Sequence, residues 1–286
     1  IQRMLNWRDD GLETPLHIAV SRGNDEVTKF LIDEGADVNS RSSRSGTVLN
    51  SFWCGYGWSK KVPMLRLLLD HGVAVKGEDC LTDFFRARNL FTYVADRFEL
   101  LAILLEHGAL VTPDHLPLAF LWKPEDFNTL LKTHSELTAR GAGSLTACIL
   151  YHKDMHQSSA LCINVKILLA HLRSLGHSND DIFGPDPIYG KTPFCAKLPH
   201  TMVEVLVEEG GDINCRDRDG VHPIFCSSPR RNLRDWEIDV PFWLKQGVKL
   251  SSEEVGQFKG KISADDGSLF SDRLECLFNL LNGLQI

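Results

Sequence analysis

The sequence lacks any apolar run near the roughly 18 residues that cross a bilayer, so no membrane partner is expected. Its eight cysteines, Cys54, Cys80, Cys148, Cys162, Cys195, Cys215, Cys226 and Cys276, include no Cys-x-x-Cys pair. That removes support for a zinc ribbon or a thioredoxin-type centre. Eight among 286 residues is also too few for a disulfide scaffold. Single scattered thiols fit small buried apolar side chains in a reducing compartment, cytoplasmic or nuclear. Positive charge is short: 31 Lys and Arg stand against 38 Asp and Glu, a net charge of -7. Nucleic-acid binders carry a basic footprint, so no nucleic-acid partner is expected. Gly (22) and Pro (12) are too few for a collagen-like or low-complexity chain. Catalytic fingerprints are missing too: there is no G-x-S-x-G, no H-E-x-x-H and no dinucleotide-binding glycine pattern. The N-terminal Ile1-Gln2-Arg3-Met4 is no signal peptide, and without an initiator Met it reads as a trimmed or partial chain.

What is present is a globular composition, 43% hydrophobic and 24% charged, over a length suited to one large or two ordinary domains. A repeat organises it. Phe30-Leu31-Ile32-Asp33-Glu34-Gly35 has three apolar residues, two polar residues and a glycine. The layout returns at Leu67–Gly72, Ile103–Gly108, Val205–Gly210 and Phe242–Gly247, and more loosely before Gly283. Successive steps within these copies are 36 or 37 residues, and the gap from Gly108 to Gly210 accommodates two further copies. Leu130–His134 and Ile167–Leu172 fill it, and both read as lacking the glycine. Apolar residues at −8, −5, −4 and −3 from the glycine predict one helical stripe. The glycine then takes the left-handed position that ends the helix. One such helix cannot bury its stripe alone, so neighbours must stack.

The first half of each repeat carries the resemblance. Asp10-Gly11-Leu12-Glu13-Thr14-Pro15-Leu16-His17-Ile18-Ala19 resembles the ankyrin-repeat signature, with Thr14 capping a helix that opens on Pro15. Gly190–Ala196, Asp217–Phe225 and, more weakly, Thr47–Asn50 are further copies. Gly35–Asn39 carries the family's Gly-Ala-Asp-Val-Asn ending and Gly210–Asn214 nearly does. The resemblance covers almost the whole chain and implies an all-α ankyrin-repeat solenoid of about eight helix-turn-helix units. It also implies a concave face lined by first helices and loops. The expected organisation is an N-terminal sub-array at 1–172, a long loop and possible hinge at 173–189, and a C-terminal sub-array at 190–286. Asn39 and Asn214 also resemble asparagines hydroxylated in the ankyrin family; the plainer expectation is that they bond their own turns.

Several clusters could carry chemistry. Gly190-Lys191-Thr192 echoes a phosphate loop, but Pro185 stands where that motif needs a glycine, so no nucleotide site and no cofactor are expected. His152, Asp154 and His156 lie within five residues and could hold a divalent metal, but polar residues are expected at such a turn, so a solvated turn or partner contact is the favoured reading and no metal is expected. Arg230, Arg231 and Arg234 form the densest basic cluster, read as a solvated turn. Phe52 should be core, while Trp53, Tyr56 and Trp58 are expected to be exposed at an irregular turn. Phe84, Phe85 and Arg86, then Phe120 and Trp122, then Tyr151 and His152 occupy the same side of later units. Aligned down a stack they predict an aromatic wall. The candidate partner-binding set is therefore Arg22, Trp53, Tyr56, Trp58, Phe85, Arg86, Trp122, Tyr151 and His152.

Two functions from different classes fit. The first is a non-enzymatic, monomeric interaction module, a scaffold or adaptor, holding a protein or peptide partner in the groove. The second is a small-molecule binder or atypical enzyme with a pocket between units two and five. Nothing after Gly283 resembles an appended degradation box, which weakens a ligase-adaptor reading.

Overall fold

The computed structural model describes residues 5, 7–55, 61–75, 78–86, 97–138, 143–151, 159–196, 198–226, 233–265 and 279. Among the described residues the chain is all-α apart from one hairpin of two two-residue strands, and it falls into two compact units, Ile1–Trp122 and Lys123–Ile286. The division lies between the two helices of the fourth sequence repeat, not in the 173–189 segment expected to be the hinge.

In the first unit, α1 (Pro15–Ser21), α3 (Val48–Cys54), α5 (Glu78–Arg86) and α7 (Leu116–Ala119) are first helices, each packed on the next. The second helices are α2 (Asp25–Asp33), α4 (Lys61–Asp70) and α6 (Arg97–Glu106). Strands β1 (Arg41–Ser42) and β2 (Gly46–Thr47) pair antiparallel as the finger before α3. In the second unit, α8 (Pro124–Thr133), α10 (Ser159–Ser174) and α12 (His200–Glu208) form a row of second helices. Beside them run α9 (Gly143–Tyr151), α11 (Asn179–Phe183), a 3-10 turn at Pro193–Cys195 and α13 (Pro223–Cys226). Helices α14 (Leu233–Lys245) and α15 (Ser252–Asp265) follow.

The glycine rule holds in detail. Gly35, Gly72, Gly108, Gly210 and Gly247 all have φ between 79° and 92°. The Gly35 and Ala36 N–H groups bond the Ile32 and Leu31 carbonyls at 2.9 Å, which closes the last turn of α2. The fifth repeat also has its glycine, contrary to the sequence reading. Helix α10 runs past His171 to Ser174, and Gly176 (φ 91°) closes it with the same two bonds, to Arg173 and Leu172. Among the described repeat ends, the fourth lacks one, ending at His134 (φ -130°). Residues 173–189 are correspondingly not a long loop: they hold the end of α10 and the whole of α11, which packs on α9.

Four first-helix starts share a cap. Thr14 Oγ1 accepts from the His17 N–H while His17 Nδ1 accepts from the Thr14 N–H. Thr47 with Asn50 makes a related pair (2.5 Å between side chains). Thr112 with His115 makes it again (2.9 Å from the Thr112 N–H to Nδ1), in a Thr-Pro-Asp-His sequence that departs from Thr-Pro-Leu-His in its third residue. Thr192 with Cys195 is a fourth version, Oγ1 to Sγ 3.4 Å, with a thiol standing where the imidazole stands elsewhere.

The apolar stripe is shifted from its expected positions in α2. Thr28, Leu31 and Ile32 are buried, whereas Val27 and Phe30 are exposed. The buried row therefore follows −7, −4 and −3 from the glycine, the set that shares one face at 3.6 residues per turn.

Candidate functional site

The aromatic wall exists, but it is core. Trp53, Phe85 and Trp122 are each no more than 2% exposed, which corrects their assignment to an exposed partner-binding face. Phe52, expected in the core, is there. Ring centroids run from Phe52 to Trp53 (4.6 Å), to Phe84 (5.3 Å), to Phe85 (5.3 Å) and to Trp122 (5.1 Å), with His115 stacked on Phe85 at 5.0 Å. The physical reason is size: rings of this area gain most where first helices stack, and edge-to-face contacts add to that burial. Two cations cover the ends of the column. Lys61 Nζ lies 4.1 Å from the Phe52 centroid and donates to the Phe52 carbonyl, and the Arg97 guanidinium lies 4.3 Å from the Trp122 centroid. Burial pushes the Lys61 amine down to about 7.

The exposed candidates that remain are Arg22, Arg86 and Tyr151. Each stands at the C-terminal end of a first helix: Arg22 caps α1, Arg86 ends α5 and Tyr151 ends α9. Tyr56, Trp58, His152, Asp154 and His156 lie outside the described residues, as do Arg230 and Arg231.

Sequence reasoning missed one exposed pair. Ile188 and Tyr189 are 64% and 56% exposed at the tip of the finger before the sixth repeat. Their backbone is fixed. Asp186 Oδ1 accepts both N–H groups at 2.7 Å, and Arg218 donates to the Pro187 carbonyl at 2.7 Å. The signal was the aspartate. Asp9 and Asp217 serve neighbouring fingers in the same way, Asp9 accepting from Gly11 and Glu13 and Asp217 from Asp219 and Val221.

The backbone N–H groups of Asn39 and Asn214 bond Asp37 and Asp212 in their own turns, but their side chains reach to the next repeat. Asn39 Nδ2 donates to the Gly72 carbonyl (3.0 Å) and its Oδ1 accepts from the Ala74 N–H (2.7 Å). Asn214 repeats this with Gly247 (3.0 Å) and Lys249 (2.7 Å). Each asparagine pins its own repeat to the next.

The thiols divide by environment. Burial pushes the Cys80 thiol up to about 12 and Cys148 well above its usual range, as inert core thiols behave. Cys195 goes the other way, to about 6, because the Cys226 thiol donates to it and Thr192 adds hydrogen bonds. Cys226 is raised in consequence. Beside them, Asp217 accepts from Lys191 Nζ at 2.5 Å. A small apolar pocket nearby is lined by Phe194, His200, His222, Ile224, Asp239 and Trp243, with His200 Nε2 2.6 Å from Asp239 Oδ1.

The Ankyrin repeat family matches residues 12–43, the segment holding the Thr14 cap, α1, α2 and Gly35. The chain is an ankyrin-repeat protein. An ankyrin repeat protein of Rickettsia bellii (strain RML369-C) is 38% identical over 65 residues, 23% of this chain and 26% of that protein. The E3 ubiquitin-protein ligase XBAT33 of Arabidopsis thaliana is 42% identical over 57 residues, 20% of this chain and 11% of that protein. The chain thus spans about a quarter and about a tenth of the length of these relatives. Among solved structures, the human ASB11 ankyrin repeat domain matches with a TM-score of 0.47 at 19% identity, over 76% of this chain and 93% of that one. Ankyrin repeats are generally protein–protein interaction modules. Among the described residues, no helix is long and apolar enough to cross a membrane.

Proposed function

We propose that this ankyrin-repeat chain is a non-enzymatic interaction module, monomeric and working in the cytoplasm or nucleus. It holds a partner peptide or domain along the groove formed by its first helices and loops. The observation that carries this reading is the finger at 186–190, where a pinned backbone presents Ile188 and Tyr189 to solvent. Two apolar side chains held rigidly outward lose little entropy on binding, and a Tyr supplies both contact area and a hydroxyl. In the same unit as that finger, Tyr151 at the end of α9 adds an aromatic contact, while Arg22 and Arg86 offer polar contacts at first-helix ends of the first unit. The net charge of -7 favours a partner with basic flanks around an apolar segment.

A photo-crosslinking amino acid placed at Tyr189, at Arg22 and at Phe30 on α2 tests this in the source cells. The expected result is a discrete protein adduct from positions 189 and 22 and none from position 30. Equal labelling at all three positions, or none, overturns the reading.

A further inference from the structure

We propose that Cys195, Cys226 and Asp217 form a binding site for a soft divalent cation of the zinc class, clamping the sixth repeat to the seventh. The ligand atoms of the three residues all lie within 4.8 Å of one another, and Cys226 Sγ is 3.9 Å from Asp217 Oδ2. Around a tetrahedral Zn2+, sulfurs stand about 3.8 Å apart and sulfur and oxygen about 3.5 Å apart, given bonds of about 2.3 and 2.1 Å. Closing the site needs shifts of about 1.3 Å at most, within reach of thiol rotation about χ1.

The three donors come from separate pieces of backbone that are each fixed. Cys195 sits in the 3-10 turn capped by Thr192, and Cys226 ends α13, which packs on that turn. Asp217 commits Oδ1 to the N–H groups of Asp219 (3.0 Å) and Val221 (2.8 Å), so Oδ2 is the oxygen that meets the thiols. In the first repeat the residue at Cys195's place is His17, whose imidazole serves the cap. A thiol at this position serves the cap poorly, since sulfur is a weak hydrogen-bonding group. It is, however, a good soft-metal ligand, and with Cys226 it favours zinc over magnesium or calcium.

The charges balance. Binding releases two thiol protons, M2+ + 2 R–SH → M(SR)2 + 2 H+, leaving two thiolates and one carboxylate around a dication. The remaining negative charge is met by the Lys191 ammonium, 2.5 Å from Asp217 Oδ2 with its side chain 35% exposed. A carboxylate oxygen has two lone pairs, so it can face the metal with one and the ammonium with the other. That arrangement orients the ligating carboxylate from outside the first coordination sphere. Three protein ligands leave a fourth position for water or for a group from a partner.

The test uses the full chain, reduced, stripped with a chelator and desalted under nitrogen, then titrated with Co2+. The expected result is one equivalent bound, with a thiolate-to-cobalt charge-transfer band and the visible bands of tetrahedral cobalt, all lost when Zn2+ displaces it. Cys195→Ser and Cys226→Ser each remove most of the charge-transfer intensity, while Cys215→Ser retains it. Asp217→Asn keeps the Oδ1 acceptor and weakens cobalt affinity at least about tenfold. Far-UV circular dichroism confirms that each variant is folded. A reduced chain that binds no cobalt, or a band surviving in both serine variants, overturns the proposal. So does a Cys195–Cys226 disulfide found by peptide mapping in place of metal uptake on admitting air, which would make the pair a redox couple.

Discussion

At the residue scale, Leu12 is the one non-glycine with positive φ (58°) among the described residues, and it is half exposed on the first finger. Glycine occupies the equivalent positions in later fingers: Gly190 (φ 67°) and Gly220 (φ 76°). A left-handed leucine costs about 1 kcal/mol or more, which its exposed side chain does little to offset. Leu12→Gly is therefore expected to raise stability by about 0.5–1 kcal/mol, read as a higher urea midpoint at unchanged m. A lower midpoint would mean that the Leu12 side chain is held by contacts worth more than the strain. Asn39 works in the opposite sense. Its two bonds to the Gly72 carbonyl and the Ala74 N–H cross from one repeat to the next, so Asn39→Ala should cost about 1–2 kcal/mol. Hydrogen exchange should show the loss at the Ala74 amide first, where the Asn39 acceptor is removed.

At the scale of elements, the sequence made the second helices legible because glycine at a left-handed position is a backbone requirement with few substitutes. It left Gly176 unread because α10 is longer than its neighbours, at 16 residues, and moved the glycine off the expected count. The Thr112–His115 cap escaped for a related reason: without Leu in third place, Thr-Pro-Asp-His reads as a solvated turn until its hydrogen bonds are seen. The aromatic wall shows the limit more plainly. Spacing places Trp53, Phe85 and Trp122 on corresponding helices, but spacing alone does not say whether a first helix turns its rings toward the neighbouring helix or toward solvent. Packing decided for the neighbour. Ile188 and Tyr189 were missed because exposure at a finger tip leaves no periodic trace. Glycines also differ in a way sequence does not reveal. Gly35→Ala meets no atom within 4 Å and strains only the backbone at φ 92°, about 1 kcal/mol. A methyl at Gly211 would stand 2.8 Å from the Leu206 carbonyl and 2.9 Å from the Phe194 ring. Gly211→Ala should therefore cost more than Gly35→Ala, by overpacking worth about 1–3 kcal/mol. Thermal denaturation of the two variants in parallel would check the order, and a smaller effect at Gly211 would contradict it.

At the scale of the whole molecule, three histidines make stability depend on pH. His17, His115 and His222 are nearly fully buried, and burial lowers the pKa of each, His222 to about 4. For His222 the nearby Arg216 lowers it further, against Glu254 and Asp212, which raise it. Hydrogen bonding points the same way. His222 Nδ1 accepts the Ile224 N–H (3.2 Å), so a proton on that nitrogen would face a donor. The unfolded chain takes up a proton near the ordinary value of 6.5, whereas the folded chain does not until about 4. Between those values the unfolded state binds more protons, so stability rises with pH there and is lost as pH falls through the window. At pH 5, His222 alone should remove about 2 kcal/mol relative to pH 7, with His17 and His115 adding in the same direction. His222→Thr places at this cap the residue that Thr14, Thr47, Thr112 and Thr192 already supply, and it removes the titrating ring. Urea midpoints of the variant should fall less between pH 7 and pH 5 than those of the parent chain. Because the comparison is of two slopes, a constant change in stability from the lost ring does not disturb it. Parallel slopes would show that His222 is protonated in the folded chain without penalty, and that its burial does not control the acid response.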